Sequence, residues 1–524
     1  MMPDALHDAV PGADATAAGQ PRGPGPMRAQ RTAVLAAGAD RHRTKPLIHC
    51  AIGPGSVAVA ALLAGCMSLV PDYQRPAAPV AGAYPAIGAA QPAAAADAPS
   101  SAATPAADLA WQDFFQDQRL KRLIDLALQN NRDLRVAVLN IEQARAQLQL
   151  RRADELPTVN AGASGVRQPT SAGSISSAYA AGAVVTAYEL DFFGRVRAAS
   201  QSAQAQLLGT EEARKTVQIS LIAGVANGYL SLLADDELLR VTRETLQTRE
   251  ASLKLTRLKF DNGAASELDF TQASSLFEGA RVALAQLTRV RAQDENALVL
   301  LLGQGLPADL PPGLTLIEQA QLPALPPGLP SDLMLRRPDV RQAEQQLLAA
   351  NANIGAARAA FFPRISLTGS LGFASSDLGQ LLRGGSLGWS FAPQLLAPIF
   401  DSGRTQAGVD SALVGRDIAV AQYEKAVQSA FREVADALAG RATLSAQTRA
   451  QSAQTESEAT RLFLVDLRYR NGASSYLDVL DAQRSLFAAQ QAQVLVQALQ
   501  AQNLVTLYKV LGGGWMAPAA AAGR

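Results

Sequence analysis

Imidazole and thiol groups carry most acid–base, nucleophilic and metal chemistry near neutral pH. In this chain they are confined to one end. His7, His42 and His49 are the only histidines, and Cys50 and Cys66 the only cysteines. From residue 67 onward neither type occurs. Ser-His-Asp, Cys-His and zinc-hydrolase mechanisms are therefore excluded for the rest of the chain. Carboxylate chemistry stays open, but the acids are scattered along helical patterns without a Gly-rich or metal-ligand context, so neither an enzyme active site nor a metal site is expected. One charged group does have a pattern. Leu477, Asp481 and Arg484 are spaced four and three apart, which places them on one helical face. Taken alone, this is a solvated face with an ordinary ion pair of about 0.3–0.5 kcal/mol. Lining a threefold axis, it would stack an apolar, an acidic and a basic ring into a constriction that ion pairs hold shut.

Cys66 has a different chemistry. Arg41, His42, Arg43 and Lys45 precede an apolar run, Val57 to Leu63, and then Leu63-Ala64-Gly65-Cys66. This order resembles a bacterial lipoprotein signal with its lipobox. The expected product is a Cys66 thiol carrying diacylglycerol, with an N-acyl lipid on the new terminus, enough for stable anchoring. The apolar run is too short to span a membrane. Met67 follows the cysteine, which resembles sorting to the outer membrane. Signals normally run about 15–30 residues. The longer lead before Cys66 implies that translation starts later, at Met27 or beyond.

Lys+Arg is 47 and Asp+Glu 46 in 524 residues, a balance that argues against a nucleic-acid partner. Half of the prolines precede residue 106, and none lies between Pro169 and Pro307 or between Pro398 and Pro518. Proline breaks helices, so those two gaps can hold very long ones. They belong to an internal repeat. Asn131-Arg132-Asp133 aligns with Arg337-Pro338-Asp339 at an offset of 206; Asn262-Gly263 aligns with Asn471-Gly472, and Leu302-Gly303 with Leu511-Gly512, at 209. The expected domains are an extension and signal (1–65), a lipidated Pro/Ala-rich tether (66–110), repeat 1 (111–303), a linker (304–330), repeat 2 (331–513) and a tail (514–524).

Each repeat has one plan. A helix is expected from Leu120 to Ala153, copied from Leu333 to Ala360. Two short strands follow. Then comes a rod of ~67 residues, about 100 Å long, from Gly194 to Phe260 and from Gly403 to Tyr469. Asn262-Gly263 and Asn471-Gly472 end the rods with left-handed caps. Ser266 and Ser475 are expected to cap the return helices. In Ile365–Phe373 and Leu387–Ala392, apolar residues alternate with Ser, Thr and Gly, as in outer-membrane strands. Weaker copies span Pro157–Val166 and Ala178–Phe192. Half-buried soluble hairpins would alternate similarly. Four strands cannot close a barrel, and open edges cannot face lipid. If these strands span a membrane, several chains must share one barrel.

The strings Leu335-Arg336-Arg337-Pro338-Asp339-Val340-Arg341, Ala359-Ala360-Phe361-Phe362-Pro363-Arg364-Ile365, Phe400-Asp401-Ser402-Gly403-Arg404, Arg468-Tyr469-Arg470-Asn471-Gly472 and Leu480-Asp481-Ala482-Gln483-Arg484 are together highly specific. Over residues 111–514 the chain resembles the TolC-like outer-membrane efflux channels, closest to the lipoprotein branch typified by OprM and NodT. The resemblance implies a mainly α fold with a membrane β part: a homotrimer with a long-helix α-barrel and a shared 12-stranded transmembrane β-barrel, four strands per chain. It implies a passive, non-enzymatic duct that works with a periplasmic membrane-fusion adaptor and an inner-membrane resistance–nodulation–division pump. It makes Leu477, Asp481 and Arg484, with Tyr469 and Arg470, the periplasmic gate. It makes the tips at Asn262, Gly263, Asn471 and Gly472 the adaptor contacts. A type I protein-secretion duct shares this architecture and is the alternative; the lipobox and the Arg-Arg-Pro-Asp string favour efflux. At the matching positions of repeat 1 stand Leu268, Gln272 and Ser275, so the charged lock is expected in the second hairpin only.

Overall fold

The computed structural model describes residues 68–85, 105–319, 323, 325–326 and 330–516, all within the compact unit Ala61–Arg524. Cys66 and its signal lie outside them.

After a helical turn at Trp111–Phe114, the first repeat comprises α1 (Gln118–Asn130), α2 (Arg132–Ala153), β1 (Val159–Pro169), β2 (Ile175–Glu189), α3 (Arg195–Asp261) and α4 (Glu267–Leu302). The second comprises α5 (Pro330–Arg336), α6 (Pro338–Ala359), β3 (Arg364–Ser375), β4 (Leu387–Leu396), α7 (Arg404–Arg470) and α8 (Tyr476–Val510). Both rods span 67 residues without interruption, as the proline-free gaps allow.

The unbroken helices expected over Leu120–Ala153 and Leu333–Ala360 are each two helices. The breaks fall on Asn131 and Arg337, whose backbones are extended. Asn131 turns its side-chain oxygen to the Leu134 amide as an N-cap, 2.9 Å away. Arg337 precedes a proline, which disfavours helical geometry at the residue before it and fits the first position of the next helix. Each break residue also reaches the end of its own return helix. Asn131 Nδ2 donates to the Leu301 carbonyl and Arg337 Nη1 to the Val510 carbonyl, both at 2.9 Å. Those two carbonyls are equivalent in the repeat. Beside each lies a left-handed glycine, Gly303 (φ 70°) and Gly512 (φ 85°). Gly303 packs directly on the Asn130 backbone, where a Cβ would collide.

Arg337 is buried and its charge is matched by Asp339 at 2.6 Å and Glu433 at 2.8 Å. Its partners account for the Arg-Arg-Pro-Asp string. At the other end of α1 the start of the helix is secured through Asp117, also buried. Its carboxylate caps α1 through the Arg119 amide (2.7 Å) and accepts from Tyr229 on α3 and from the Leu314 amide in the linker, each at 3.0 Å.

The core lies at mid-height of the rods. Phe114 stacks on Tyr508 at 4.1 Å, and the Tyr508 hydroxyl donates to the Leu109 carbonyl at 2.6 Å. Leu120, Ile124, Ile222, Leu230, Leu298, Leu302 and Tyr423 fill the same cluster. On α8, Val494, Ala498, Ala501, Val505 and Tyr508 recur at spacings of four and three and are buried throughout. Helix α3 contains a stretch apolar enough to cross a bilayer. It is the helix packed against α1, α2, α4, α6 and α8, so its apolar surface is spent on core contacts.

The strands form one antiparallel sheet in the order β1-β2-β3-β4, with β1 and β4 as its edges. On one face Leu371 pairs with Trp389, Gly369 with Phe391 and Phe373 with Leu387, and the row continues through Ala183 and Ala181. The opposite face carries Ser370, Ser390, Gly372, Gly388, Gly182 and Gly162, with the two serine hydroxyls 2.7 Å apart. Trp389 is 78% exposed although it is the largest side chain on the sheet.

Residues 68–85 are extended, as the tether reading expects, but they are fastened to the body. Arg75 makes a bidentate pair with Glu344 on α6 (2.7 and 3.0 Å), and Tyr73 donates to the same carboxylate at 3.0 Å. Asn351 Nδ2 donates to the Pro71 carbonyl at 2.7 Å. Val70 lies against Gly355, where any side chain would collide with it.

Two predictions test these contacts. Gly263 and Gly303 have almost the same φ, 69° and 70°. Open space surrounds Gly263, whereas Gly303 abuts backbone. Gly263→Ala should cost only the left-handed penalty of about 1–2 kcal/mol. Gly303→Ala should lower the thermal midpoint several degrees further in the same detergent. The second concerns Asp235, buried on α3. Burial first, then the nearby Asp294 and Asp236, push its pKa from 3.8 up to about 6. The folded chain then holds a proton that the unfolded chain has released, so this group's contribution is greatest below about pH 4 and is lost as pH rises to about 6. Asp235→Asn should gain thermal stability relative to the parent between those two pH values, and the gap should level off above them.

Candidate functional site

The far ends of the two hairpins, α3–α4 and α7–α8, are built alike. Each rod ends with an asparagine whose Nδ2 donates back four residues, Asn262 to the Leu258 carbonyl and Asn471 to the Leu467 carbonyl, both at 2.7 Å. Gly263 and Gly472 then turn through left-handed backbone. Ala264 and Ala473 close the cap by donating to the carbonyls of Lys259 (2.7 Å) and Arg468 (2.8 Å). Ser266 with Asp269 and Ser475 with Asp478 form capping boxes on the return helices. Hydroxyls of Ser474 and Ser475, then the Ser475 amide, hold the Asp478 carboxyl below its usual range. Both tips expose small residues and backbone.

Just above the tips the likeness ends. On α8, Leu477 is exposed, and Asp481 and Arg484 share its face, 3.8 Å from each other. The tighter partner of Asp481 is Arg461 on α7, at 2.6 Å. Arg461 also meets Glu458 at 3.2 Å and the Ser485 hydroxyl at 3.3 Å. Hydrogen bonding to Asp481 first, then to Glu458, raises the Arg461 pKa. The pattern on one helix missed Arg461. Its signal was the hairpin itself, because 461 and 481 stand equally far from Asn471 and must face each other across the turn.

Repeat 1 replaces the three charges Arg461, Asp481 and Arg484 with neutral groups. Arg461 corresponds to Ser252, Asp481 to Gln272 and Arg484 to Ser275. Ser252 instead lies 2.7 Å from the Tyr476 hydroxyl, which also accepts from Thr256 at 3.1 Å. Tyr469 makes the second bridge between hairpins. Its hydroxyl accepts from Lys259 at 3.0 Å, and its ring lies 5.4 Å from that of Tyr476. Arg470 turns away to Asp466 on its own helix, at 2.7 Å. Leu477, Asp481 and Arg484 are thus gathered on one face with Arg461. Tyr469 tethers the hairpins beside them, and Arg470 joins neither group within the chain.

Nothing in this arrangement positions a nucleophile, a general base or a metal. Among the described residues, no cluster of three or more His, Cys, Asp or Glu could hold a metal ion. The frame that holds these residues is a pair of long hairpins joined through a short two-faced sheet. The chain superimposes on the open-state MtrE outer membrane channel of Neisseria gonorrhoeae with a TM-score of 0.77 and 40% identity, over 86% of this chain and 99% of that one. It is 48% identical over 467 residues to the toluene efflux pump outer membrane protein TtgC of Pseudomonas putida, covering 88% of this chain and 95% of that protein. It is 43% identical over 472 residues to the outer membrane protein OprJ of Pseudomonas aeruginosa, covering 89% and 96%. The family description "Outer membrane efflux protein" matches residues 123–304 and 329–513. The chain belongs to this family: it is an outer-membrane efflux channel protein, located in the outer membrane and extending into the periplasm.

Proposed function

We propose that three copies of this chain close into one passive duct of a tripartite efflux system. The observation that carries this reading is the sheet. It has four strands, two free edges and an outward row of Leu371, Trp389, Phe391 and Leu387. In lipid, the edge groups of β1 and β4 need partners, and a neighbouring copy supplies them. Three sheets make a 12-stranded barrel, and the six long hairpins continue it as a periplasmic tunnel. Acylated Cys66 adds a lipid anchor. The tips at Asn262-Gly263 and Asn471-Gly472 offer backbone to a periplasmic membrane-fusion adaptor. An inner-membrane resistance–nodulation–division pump supplies the energy, and the duct makes and breaks no covalent bonds. TtgC is named for toluene efflux, and small apolar compounds and drugs are the proposed cargo.

In this assembly Leu477, Asp481 and Arg484 face the axis as stacked rings near the periplasmic end. Arg461 braces the acidic ring, and Tyr469 and Arg470 flank it. Exposed ion pairs are worth about 0.2–1 kcal/mol each, so the closure is firm enough to limit leakage and weak enough to yield when an adaptor spreads the tips.

Native mass spectrometry of the detergent-purified full chain should give a trimer, and a Cys66→Ser chain should lose palmitate labelling. A monodisperse monomer that is soluble without detergent would overturn the reading. In planar bilayers, Asp481→Ala should raise conductance several-fold, whereas Gln272→Ala should leave it close to the parent. Equal effects of the two would remove the assignment of the lock to the second hairpin.

A further inference from the structure

Helix α3 contains a cation with no counter-ion. Arg249 is only 5% exposed. Its Nη1 donates to the Leu276 carbonyl at 2.9 Å, and its guanidinium lies over the Phe487 ring on α8, 5.0 Å from the centroid. Nε is buried without a partner, and no ion pair forms at this residue among the described ones. Burial, then the charge of Arg484, hold its pKa below the usual arginine value. A buried guanidinium with a second cation nearby is costly unless something negative meets it. The equivalent position in repeat 2 is Glu458, which is paired with Arg461, so the repeat itself does not require an arginine here.

Arg249 lines a cavity of about 200 Å³ between α3 and the second hairpin, with Leu462 from α7 and Gln483, Leu486 and Phe487 from α8. Gln483 Oε1 is also buried without a partner, so its amide is uncommitted and can turn its NH₂ into the cavity. Glu244 is on the rim, but its carboxylate is mostly exposed and taken by Arg240 at 2.7 Å. The aromatic ring holds the guanidinium plane, and a planar fork of donors matches a carboxylate in two-point contact. Leu462, Leu486 and Phe487 give the rest of the cavity an apolar lining suited to a short alkyl tail.

We propose that this cavity is a binding site for a small monocarboxylate, held by Arg249 and Gln483 between the two hairpins. The site is separate from the Asp481–Arg461 pair and does not depend on the gate reading.

The test uses acetate on the full chain in detergent, at constant pH and ionic strength with chloride as the balancing anion. Saturation-transfer NMR should detect saturable acetate binding, and acetate should raise the thermal midpoint above that in chloride. Arg249→Gln should weaken binding by about tenfold or more, because a charge-assisted two-point contact is lost. Gln483→Leu, which leaves the arginine in place, should weaken it by about threefold and keeps the test decisive if the first variant fails to fold. Arg257→Gln, a change to an exposed arginine on the same helix but outside the cavity lining, should leave it unchanged. No saturable acetate binding, or equal binding by the parent and both cavity variants, would overturn the proposal.

Discussion

Each repeat closes on itself at one point, and the long rods depend on it. The chain leaves the short helix, breaks at Asn131 or Arg337, and ties that break to the last carbonyls of the helix returning from the tip. The break residue is extended, so its side chain is free to reach sideways, while a left-handed glycine lets the returning helix come within touching distance. A hairpin of two rods this long would otherwise be anchored only by weak side-by-side contacts among Ala, Gln and Leu. With its two ends fixed to a common collar, the packing along its length has only to keep register. The core confirms this division of labour. The large buried side chains cluster at the collar, and the shafts towards the tips are half-exposed.

The collar also sets where the sheet can go. α2 and α6 each lead from it directly into a strand pair. The pairs meet through β2 and β3, where Gly182 faces Gly372 and either residue would collide with its partner if it had a Cβ. The strands come so close there only because both side chains are absent. Among the described residues, the outer edges β1 and β4 have no such partner. One polypeptide therefore contains a finished periplasmic collar and an unfinished membrane wall. In the proposed trimer that combination would link assembly to insertion, because edges placed in lipid find partners only on neighbouring copies.

Much of this was legible in the residues. Proline-free gaps gave the length of the rods, because one missing amide proton is enough to break a helix. Asn-Gly and the serines after it marked the tips, since left-handed caps and N-caps use few residue types. Alternation in Ile365–Phe373 marked a two-faced strand. The breaks at Asn131 and Arg337 were less visible. Asn131 sits in an otherwise helical pattern, and its tertiary bond to the Leu301 carbonyl adds to its local N-cap in making a break favourable there. The docking of residues 68–85 was hidden for a similar reason: a Pro/Ala-rich composition reports low helix content and says nothing of Glu344, hundreds of residues away. At the candidate site, helical spacing found the Leu477, Asp481 and Arg484 face but not Arg461, whose place opposite Asp481 is set by the turn.

The two hairpins differ just where a duplicated scaffold can afford to. Cap residues, tip glycines and closing bonds are kept in both, because each is a backbone requirement that few side chains meet. The polar rungs above the tips carry no such requirement, and they have diverged: Arg461 and Asp481 against Ser252 and Gln272, Glu458 against Arg249. One hairpin thus holds an ion-pair cluster while the other offers hydroxyls and a lone buried cation. With this cluster in one hairpin only, the trimer proposed above would carry three such locks where it could have carried six. Exposed pairs are weak singly, whereas breaking a buried pair costs about 3–5 kcal/mol. In that proposal three exposed locks would leave the closed state only a few kcal/mol below an open one, within reach of the binding energy a docking partner can supply, and six buried ones would not.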